Sequence, residues 1–399
     1  MKAATQSLVD HDPLAEASAL ADAPAARRGG LTPAPVLSEP ARDAESSAGL
    51  PAGVDLLARL ESICAGRGLD HLAERLEDLA AFVGLDMATF ETEMGLLPAR
   101  PEIVGRSATH LLDLGGKRLR PMLLTLAARA GGAVFDRTIL DLAVAIELVH
   151  SATLLHDDVV DVSDARRGAP TARAVYGNAA SIFAGDWLLV EALRRVERAG
   201  RPELLRRLFG LIEEMIFAES LQLENRGTLS MGRATYFRVV EGKTASVFRW
   251  ATRAGAMVGE LPPAACDALA VYGEHLGVSF QAVDDLLDLT GDEQSTGKSL
   301  FGDLVEGKMT LPLILALERE PALRGVVEAI LAAPADSPPP AELFERVVGV
   351  LRATEAVTDT LALARERSAL AVAALHDVPD GRARRALETI AESIVDRDL

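Results

Sequence analysis

From about residue 102 to the C-terminus, apolar residues recur three and four positions apart, and no stretch alternates convincingly with a period of two. A chain written this way buries its apolar stripes by packing helix on helix. The spacing predicts helices over 102–114, 119–130, 136–160, 171–176, 179–199, 203–226, 232–253, 263–289, 311–318, 322–333, 341–349, 353–376 and 380–396. Glycine pairs at Gly115-Gly116 and Gly131-Gly132, the GDEQSTG segment (291–297) and the Pro-rich 335–340 mark the main breaks. Aromatics are 4% of the chain and Leu, Ala and Val dominate its 49% apolar content, which favours helix over sheet. The expected fold is all-α, one large helical domain over 51–399. Amphipathic stretches such as DHLAERLEDLAAFV predict accessory helices within 54–80, with punctuation at Gly84. Residues 1–50, rich in Ala, Pro, Ser and Gly and without a sustained period, read as a disordered extension with no chemistry.

A formal charge of −18 excludes a general nucleic-acid binder, because no basic field is available to gather phosphates. A small, locally basic pocket for a phosphorylated ligand stays compatible with it. Cys64 and Cys266, far apart and without a CxxC partner, point to a reducing compartment and to no thiolate metal site. No secretory signal is visible. The most apolar stretch, 139–155, holds Asp141, Glu147 and His150 and reads as a buried helix rather than a transmembrane segment. A cytoplasmic protein is expected.

Against this background the segment LLHDDVVD (154–161) is costly, with three aspartates in an apolar helix. The pattern returns at FQAVDDLLD (280–288). Asp157 and Asp161 are one helical turn apart, as are Asp284 and Asp288, so each pair shares a face, with Asp158 and Asp285 at its edge. Unpaired carboxylates at this spacing destabilise a helix by a few tenths of a kcal/mol, and by more when partly buried. A divalent cation is the natural candidate to compensate both pairs. The all-oxygen set, with no nearby Cys and no His pair, favours Mg²⁺ or Mn²⁺ over zinc.

Such sites complete their shell with water and substrate phosphate. Cations suited to phosphate flank the clusters: Lys117, Arg118 and Arg120 in GGKRLRP, Arg166 and Arg167 after the first cluster, and Lys243 with Thr244, Lys298 and Lys308, each of these three lysines next to a glycine. His150 lies two turns before Asp157 on roughly the same face, and Gln281 three residues before Asp284. GKT (242–244) and GKS (297–299) lack the upstream glycine and strand of a P-loop. The Glu and Glu-x-x-His contributions of a di-iron bundle are absent.

Taken in order, GGKRLRP, HSATLLHDDVVDVSDARRG, GDWLL, EGKTA, FQAVDDLLD and GKSLFGDLVEGKMTLPL make the chain resemble the trans-polyprenyl diphosphate synthases over roughly residues 80–397. That resemblance implies an isoprenoid synthase fold, a helical bundle around a central cavity, in a homodimer. It implies head-to-tail condensation of isopentenyl diphosphate with an allylic diphosphate, releasing diphosphate and using about three Mg²⁺ ions. Asp157, Asp158, Asp161, Asp284, Asp285, Arg166 and Lys243 match the catalytic set, and Asp157, Asp161, Asp284 and Asp288 the metal ligands. Arg166, Lys243, Thr244, Gln281 and Lys298 match contacts to the allylic diphosphate or its metals. Lys117, Arg120, His150 and Arg167 match the isopentenyl diphosphate site; Arg118 belongs to the same basic set, and Lys308 lies near the closing segment.

Product length in this family depends on the tunnel beneath the first motif. Short-product members place bulky aromatics four or five residues before its first Asp, where this chain has Thr153 and Ala152, with Val149 and Leu148 a turn deeper. The open path and the likeness of HSATLLHDDVVD to octaprenyl- and solanesyl-type synthases imply a long-chain product, with membrane-peripheral release and a quinone side chain as its use. The alternatives are a shorter-chain, geranylgeranyl-type synthase and a non-catalytic subunit of a heteromeric synthase. Phe301-Gly302-Asp303-Leu304 departs from the usual Gly-Asp-Asp-Leu, losing a carboxylate and gaining an aromatic.

Overall fold

The computed structural model describes residues 52–66, 68–97, 100–291, 300–334 and 339–396. The extension 1–50 and Lys298 therefore lie outside the described residues. The helical periodicity resolves into α1 (Ala52–Gly66), α2 (Asp70–Gly95), α3 (Ile103–Asp113), α4 (Leu119–Ala130), α5 (Arg137–Val160) and α6 (Ala172–Tyr176). There follow α7 (Asn178–Arg198), α8 (Pro202–Glu224), α9 (Arg233–Val240), α10 (Ser246–Val258) and α11 (Pro263–Thr290). Beyond these come a short turn, Gly302–Val305, and five helices, Leu311–Arg319, Leu323–Leu331, Ala341–Ala353, Ala356–Ala374 and Arg382–Ser393. Strand among the described residues is confined to a two-residue antiparallel pairing, Ala165–Arg166 with Ala169–Pro170.

Three local expectations change. Gly84 does not end a helix: α2 runs through it, because Val83, Met87 and Phe90 are buried on either side. That burial outweighs a glycine's helix penalty of about 1 kcal/mol. The predicted helix 232–253 instead extends to Val258 and is interrupted by a π-helical turn, Glu241–Ala245. The hairpin 165–170 was not foreseen, since two residues per strand leave no periodic signal.

The central helix is α5. Asp136 caps it, accepting a hydrogen bond from the Ile139 amide at 2.9 Å, a contribution of about 1 kcal/mol. By length and composition α5 could cross a membrane, but 78% of its apolar window is buried inside the protein, packed on α4, α7 and α10. It is a core helix, as its sequence implied. Where α5 does carry charge deep in the fold, the charge is paired: Asp141 accepts from Arg195 at 3.0 Å and from Arg198 at 2.9 Å.

The main core gathers side chains from α1, α2, α4, α5, α7, α8, α10 and α11. A second apolar cluster ties α9 and the end of α11 to Leu304, Leu313, Val327 and Leu351. The second cluster takes in Ala245 of the π turn and Leu289 at the end of α11, which places the second aspartate motif beside that turn.

Candidate active site

Helix α5 stops just after its aspartates. Val162 adopts a left-handed φ of 57°, and the Ser163 amide reaches back to the Asp158 carbonyl at 2.9 Å. A β-branched residue there costs roughly 1–2 kcal/mol, and the reversal leaves Asp161 as the C-cap. The chain then returns through the hairpin, which delivers Arg166 onto Asp158 (Nη2 to Oδ1, 2.8 Å). Asp158 is fully buried, and its second oxygen has no hydrogen-bond partner. Burial lifts its pKa above the ordinary value against the pull of Arg166. Asp158 is thus an interior anchor rather than an open ligand, while Asp157 and Asp161 face cations.

Lys243 Nζ lies 3.3 Å from Asp157 Oδ2, also contacts Glu219, and donates to Gln222 at 3.1 Å. The lysine projects from the π turn, a wider coil that recurs at functional sites. Gly242 permits this approach, for a Cβ there would come 2.7 Å from the Ala218 Cβ on α8. Burial disfavours the Lys243 ammonium, but Asp157 and Glu219 outweigh it and raise its pKa. Asp161 is held by two cations: Arg226 Nη2 on Oδ1, and Lys308 Nζ on Oδ2 at 2.7 Å. Lys308 also contacts Glu306 at 2.6 Å and approaches Asp303 at 4.0 Å. Its pKa is raised, because Asp303, Asp161 and Glu306 together overcome burial.

At the second motif, Asp285 is 2% exposed and accepts three hydrogen bonds. They come from Tyr236 Oη at 2.7 Å, Gln281 Nε2 at 2.9 Å and the Leu311 amide at 3.5 Å. Thr244 donates to Gln281 at 2.9 Å, extending the chain to the π turn. Burial and the neighbouring Asp303 push the Asp285 carboxyl up to about 7 despite these donors. Asp288 accepts from the amides of Gly302 (3.0 Å) and Asp303 (3.3 Å). The departure at Phe301 becomes legible here. Its ring packs on Phe344 (centroids 4.6 Å apart), and its left-handed backbone donates to the Asp288 carbonyl at 2.7 Å. The aromatic seats the turn against α11, and the turn's amides hold Asp288. Lys308, Asp303 and Asp288 in turn form a bridge between the first motif and the second.

The basic set divides. Arg118 is 5% exposed and taken up by Glu147 (2.7 Å) and Glu91 (3.0 Å), an internal ion pair rather than a group open to a ligand. Arg120 lies over the Phe248 ring at 5.0 Å, its Nε buried without a partner, and burial lowers its pKa. Lys117 is exposed, 5.9 Å from the Phe280 ring. Arg167, at a left-handed φ of 52°, brings its guanidinium to where a Cβ on Gly116 would meet it at 3.4 Å. His150 sits among these groups. Burial first, and then Arg120, Arg167, Arg166 and Arg118, hold its pKa well below 6.5, so the imidazole is neutral at pH 7. Concentrated positive charge around a neutral imidazole is an environment for an anion.

Among the described residues, no three acidic, histidine or cysteine side chains converge on one point. A divalent cation held here would take one or two carboxylates and complete its shell with water and phosphate oxygens, as Mg²⁺ does on phosphorylated substrates. The donors fit: Asp157 and Asp161 offer hard oxygens whose present partners include lysines, contacts that a metal diphosphate would replace pairwise. The metal would take the carboxylates and the phosphate the ammonium groups.

Arg226, Tyr236 and Glu219 were not anticipated. Arg226 and Glu219 act on the motifs only across the fold, and Tyr236, seven residues before Lys243, looks in sequence like any buried aromatic.

The sequence profile of the Polyprenyl synthetase family matches residues 101–344, which contain both aspartate motifs. The chain belongs to this family. It is a trans-prenyltransferase. Among relatives, it is 34% identical to octaprenyl diphosphate synthase of Escherichia coli K12, over 82% of this chain and 99% of that one. It is also 34% identical to heptaprenyl diphosphate synthase component 2 of Geobacillus stearothermophilus, over 81% and 99%. The polyprenyl synthase of Caulobacter crescentus, solved with calcium and isoprenyl diphosphate, superposes with a TM-score of 0.75 at 34% identity. That match covers 81% of this chain and 98% of the other. The decaprenyl diphosphate synthase of Rhodobacter capsulatus gives 0.73 at 32%, covering 81% and 99%. The isoprenoid synthase fold of these neighbours is the fold of this chain.

Proposed function

We propose that this prenyltransferase uses Mg²⁺ to condense isopentenyl diphosphate with an allylic diphosphate, and that it extends the chain to a long all-trans polyprenyl diphosphate. The observation that carries the reading is the pairing of Asp157 with Lys243 and of Asp161 with Lys308, beside a separate cation cluster around His150. One arrangement suits a metal-bound leaving diphosphate; the other suits a second diphosphate that keeps its charge.

In this reading Asp157, Asp161, Asp284 and Asp288 hold the divalent ions. When bound, these ions stabilise the charge that develops on the departing diphosphate. Lys243, Lys308 and Arg166 supply hydrogen bonds to the same oxygens as the C–O bond ionises. Gln281 and Thr244 keep Asp285 in place, so the ends of α5 and α11 keep their spacing. Lys117, Arg120, Arg167 and neutral His150 orient isopentenyl diphosphate, whose double bond attacks the allylic carbon, and the proton it then loses passes to the released diphosphate. Fully buried Leu148, Val149, Ala152 and Leu155 exclude water from the cation below the motif.

A long product is supported by relatives named for heptaprenyl, octaprenyl and nonaprenyl products. A homodimer is supported by Phe183, Phe209, Ile216 and Phe217 of α7 and α8, apolar side chains more than half exposed in the single chain. The relative named component 2 keeps a heteromeric assembly as the second reading.

Purified protein is incubated with Mg²⁺, labelled isopentenyl diphosphate and farnesyl diphosphate, and the dephosphorylated products are separated by length. Extended polyprenols are expected, with incorporation reduced at least about 10²-fold by Asp157→Ala. Incorporation no greater than in a metal-free control would reject the activity, and mass measurement in solution distinguishes a dimer from a chain that needs another subunit.

A further inference from the structure

The turn after α8 carries an arginine that the motifs do not include. Arg226 stands where the end of α5, its own turn and the 306–308 turn meet. Its Nη1 donates to the Val160 carbonyl at 3.1 Å and its Nη2 to Asp161 Oδ1. The Gly227 amide donates to the Gly307 carbonyl at 2.8 Å. Gly307 has a φ of 78°, and a Cβ on it would come 3.1 Å from Arg226 Cγ, so glycine lets the 306–308 turn close on the arginine stem. The guanidinium is held by a carbonyl, a carboxylate and a packed turn. Lys308 reaches the other oxygen of Asp161 as an ammonium on a flexible stem, shared with Glu306.

The two oxygens of Asp161 therefore have partners of unequal mobility. A carboxylate that binds a metal through one oxygen commonly accepts a hydrogen bond on the other, and that bond fixes its orientation. Lysine can leave Oδ2 for a phosphate oxygen; the planar fork of Arg226, bonded at both Nη atoms, stays on Oδ1. We propose that Arg226 is a positioning residue that fixes Asp161 through Oδ1, so that Oδ2 is presented to a divalent cation as Lys308 moves to substrate. The inference rests on Asp161 being a metal ligand, and it adds a residue that touches neither metal nor substrate. It separates two cations that look alike at the same carboxylate: one orients, the other exchanges.

The test measures Mn²⁺ binding to the full-length protein by the EPR signal of free Mn²⁺, with inorganic diphosphate present, for wild type, Arg226→Gln and Arg226→Lys. Melting temperatures are recorded alongside. Arg226→Gln is expected to weaken Mn²⁺ binding about 10–100-fold, the usual effect of losing an outer partner of a metal ligand. Arg226→Lys, which can reach Asp161 or Val160 but not both, falls between, and half-saturating Mg²⁺ in the condensation rises in the same order. Mn²⁺ affinity within twofold of wild type, with only the melting temperature lowered, would show a purely structural tie and overturn the proposal. Tighter binding would overturn it too, making Arg226 a competitor. If the glutamine variant does not fold, the lysine variant decides: affinity equal to wild type overturns the proposal. Wild type that binds no Mn²⁺ would sink the metal reading itself.

Discussion

Replacing Arg118 by alanine separates an internal ion pair from a substrate contact in the GGKRLRP segment. Arg118 and Glu147 are each about 5% exposed and lie 2.7 Å apart, with Glu91 at 3.0 Å on the other side of the guanidinium. Arg118→Ala leaves Glu147 buried without compensation, which costs about 3–5 kcal/mol. At the few degrees per kcal/mol typical of a large domain, the melting temperature falls by roughly 5–10 °C. Arg118→Met combined with Glu147→Leu removes both charges and keeps the volume, so most of that loss is recovered. The assay is thermal unfolding of the single and double variants, with KM for isopentenyl diphosphate measured on each. The expected pattern is a large drop for the single variant, recovery in the double, and a KM rise of no more than several-fold. A single variant that melts within a degree of wild type but needs 100-fold more isopentenyl diphosphate would refute the reasoning and return Arg118 to the diphosphate site.

Two further outcomes follow from the same geometry. Ala152→Phe fills a fully buried position on α5, costs about 1–3 kcal/mol by overpacking, and shifts the product spectrum to shorter chains; an unchanged chromatogram would remove this position from length control. His150 is neutral in the folded protein with a pKa well below 6.5, whereas the unfolded chain takes up its proton near 6.5. The stability it allows is present above that value and lost as pH falls below it, so His150→Gln flattens the acid side of the stability curve. Denaturant melts of both proteins between pH 5 and 7 that stay parallel would contradict this.

The helices were legible because their code is local. A period of 3.6 and a glycine or proline break can be read within a dozen residues, and most boundaries in 102–396 fell close to their predicted places. Gly84 failed because burial on both sides of it, a property of the packed chain, outweighed its propensity. The π turn failed for a related reason: EGKTA reads as ordinary helix, and the wider coil arises where Gly242 lets it press against α8.

The aspartate pairs and their basic neighbours were likewise written in the chain, since i,i+4 spacing sets a common face whatever surrounds it. What each charge does was not. Asp158 and Asp157 are adjacent, yet one is sealed under Arg166 and the other faces Lys243. Arg118 and Arg120 are two apart, yet one is held by Glu147 and the other lies over Phe248. Asp161 meets Arg226 and Lys308 from 65 and 147 residues away. The sequence by itself determined an all-helical chain with two acidic faces and the cations to answer them. Only the tertiary structure decided which cation meets which carboxylate and how deeply it is buried, because charge pairing and desolvation depend on distances that folding alone creates.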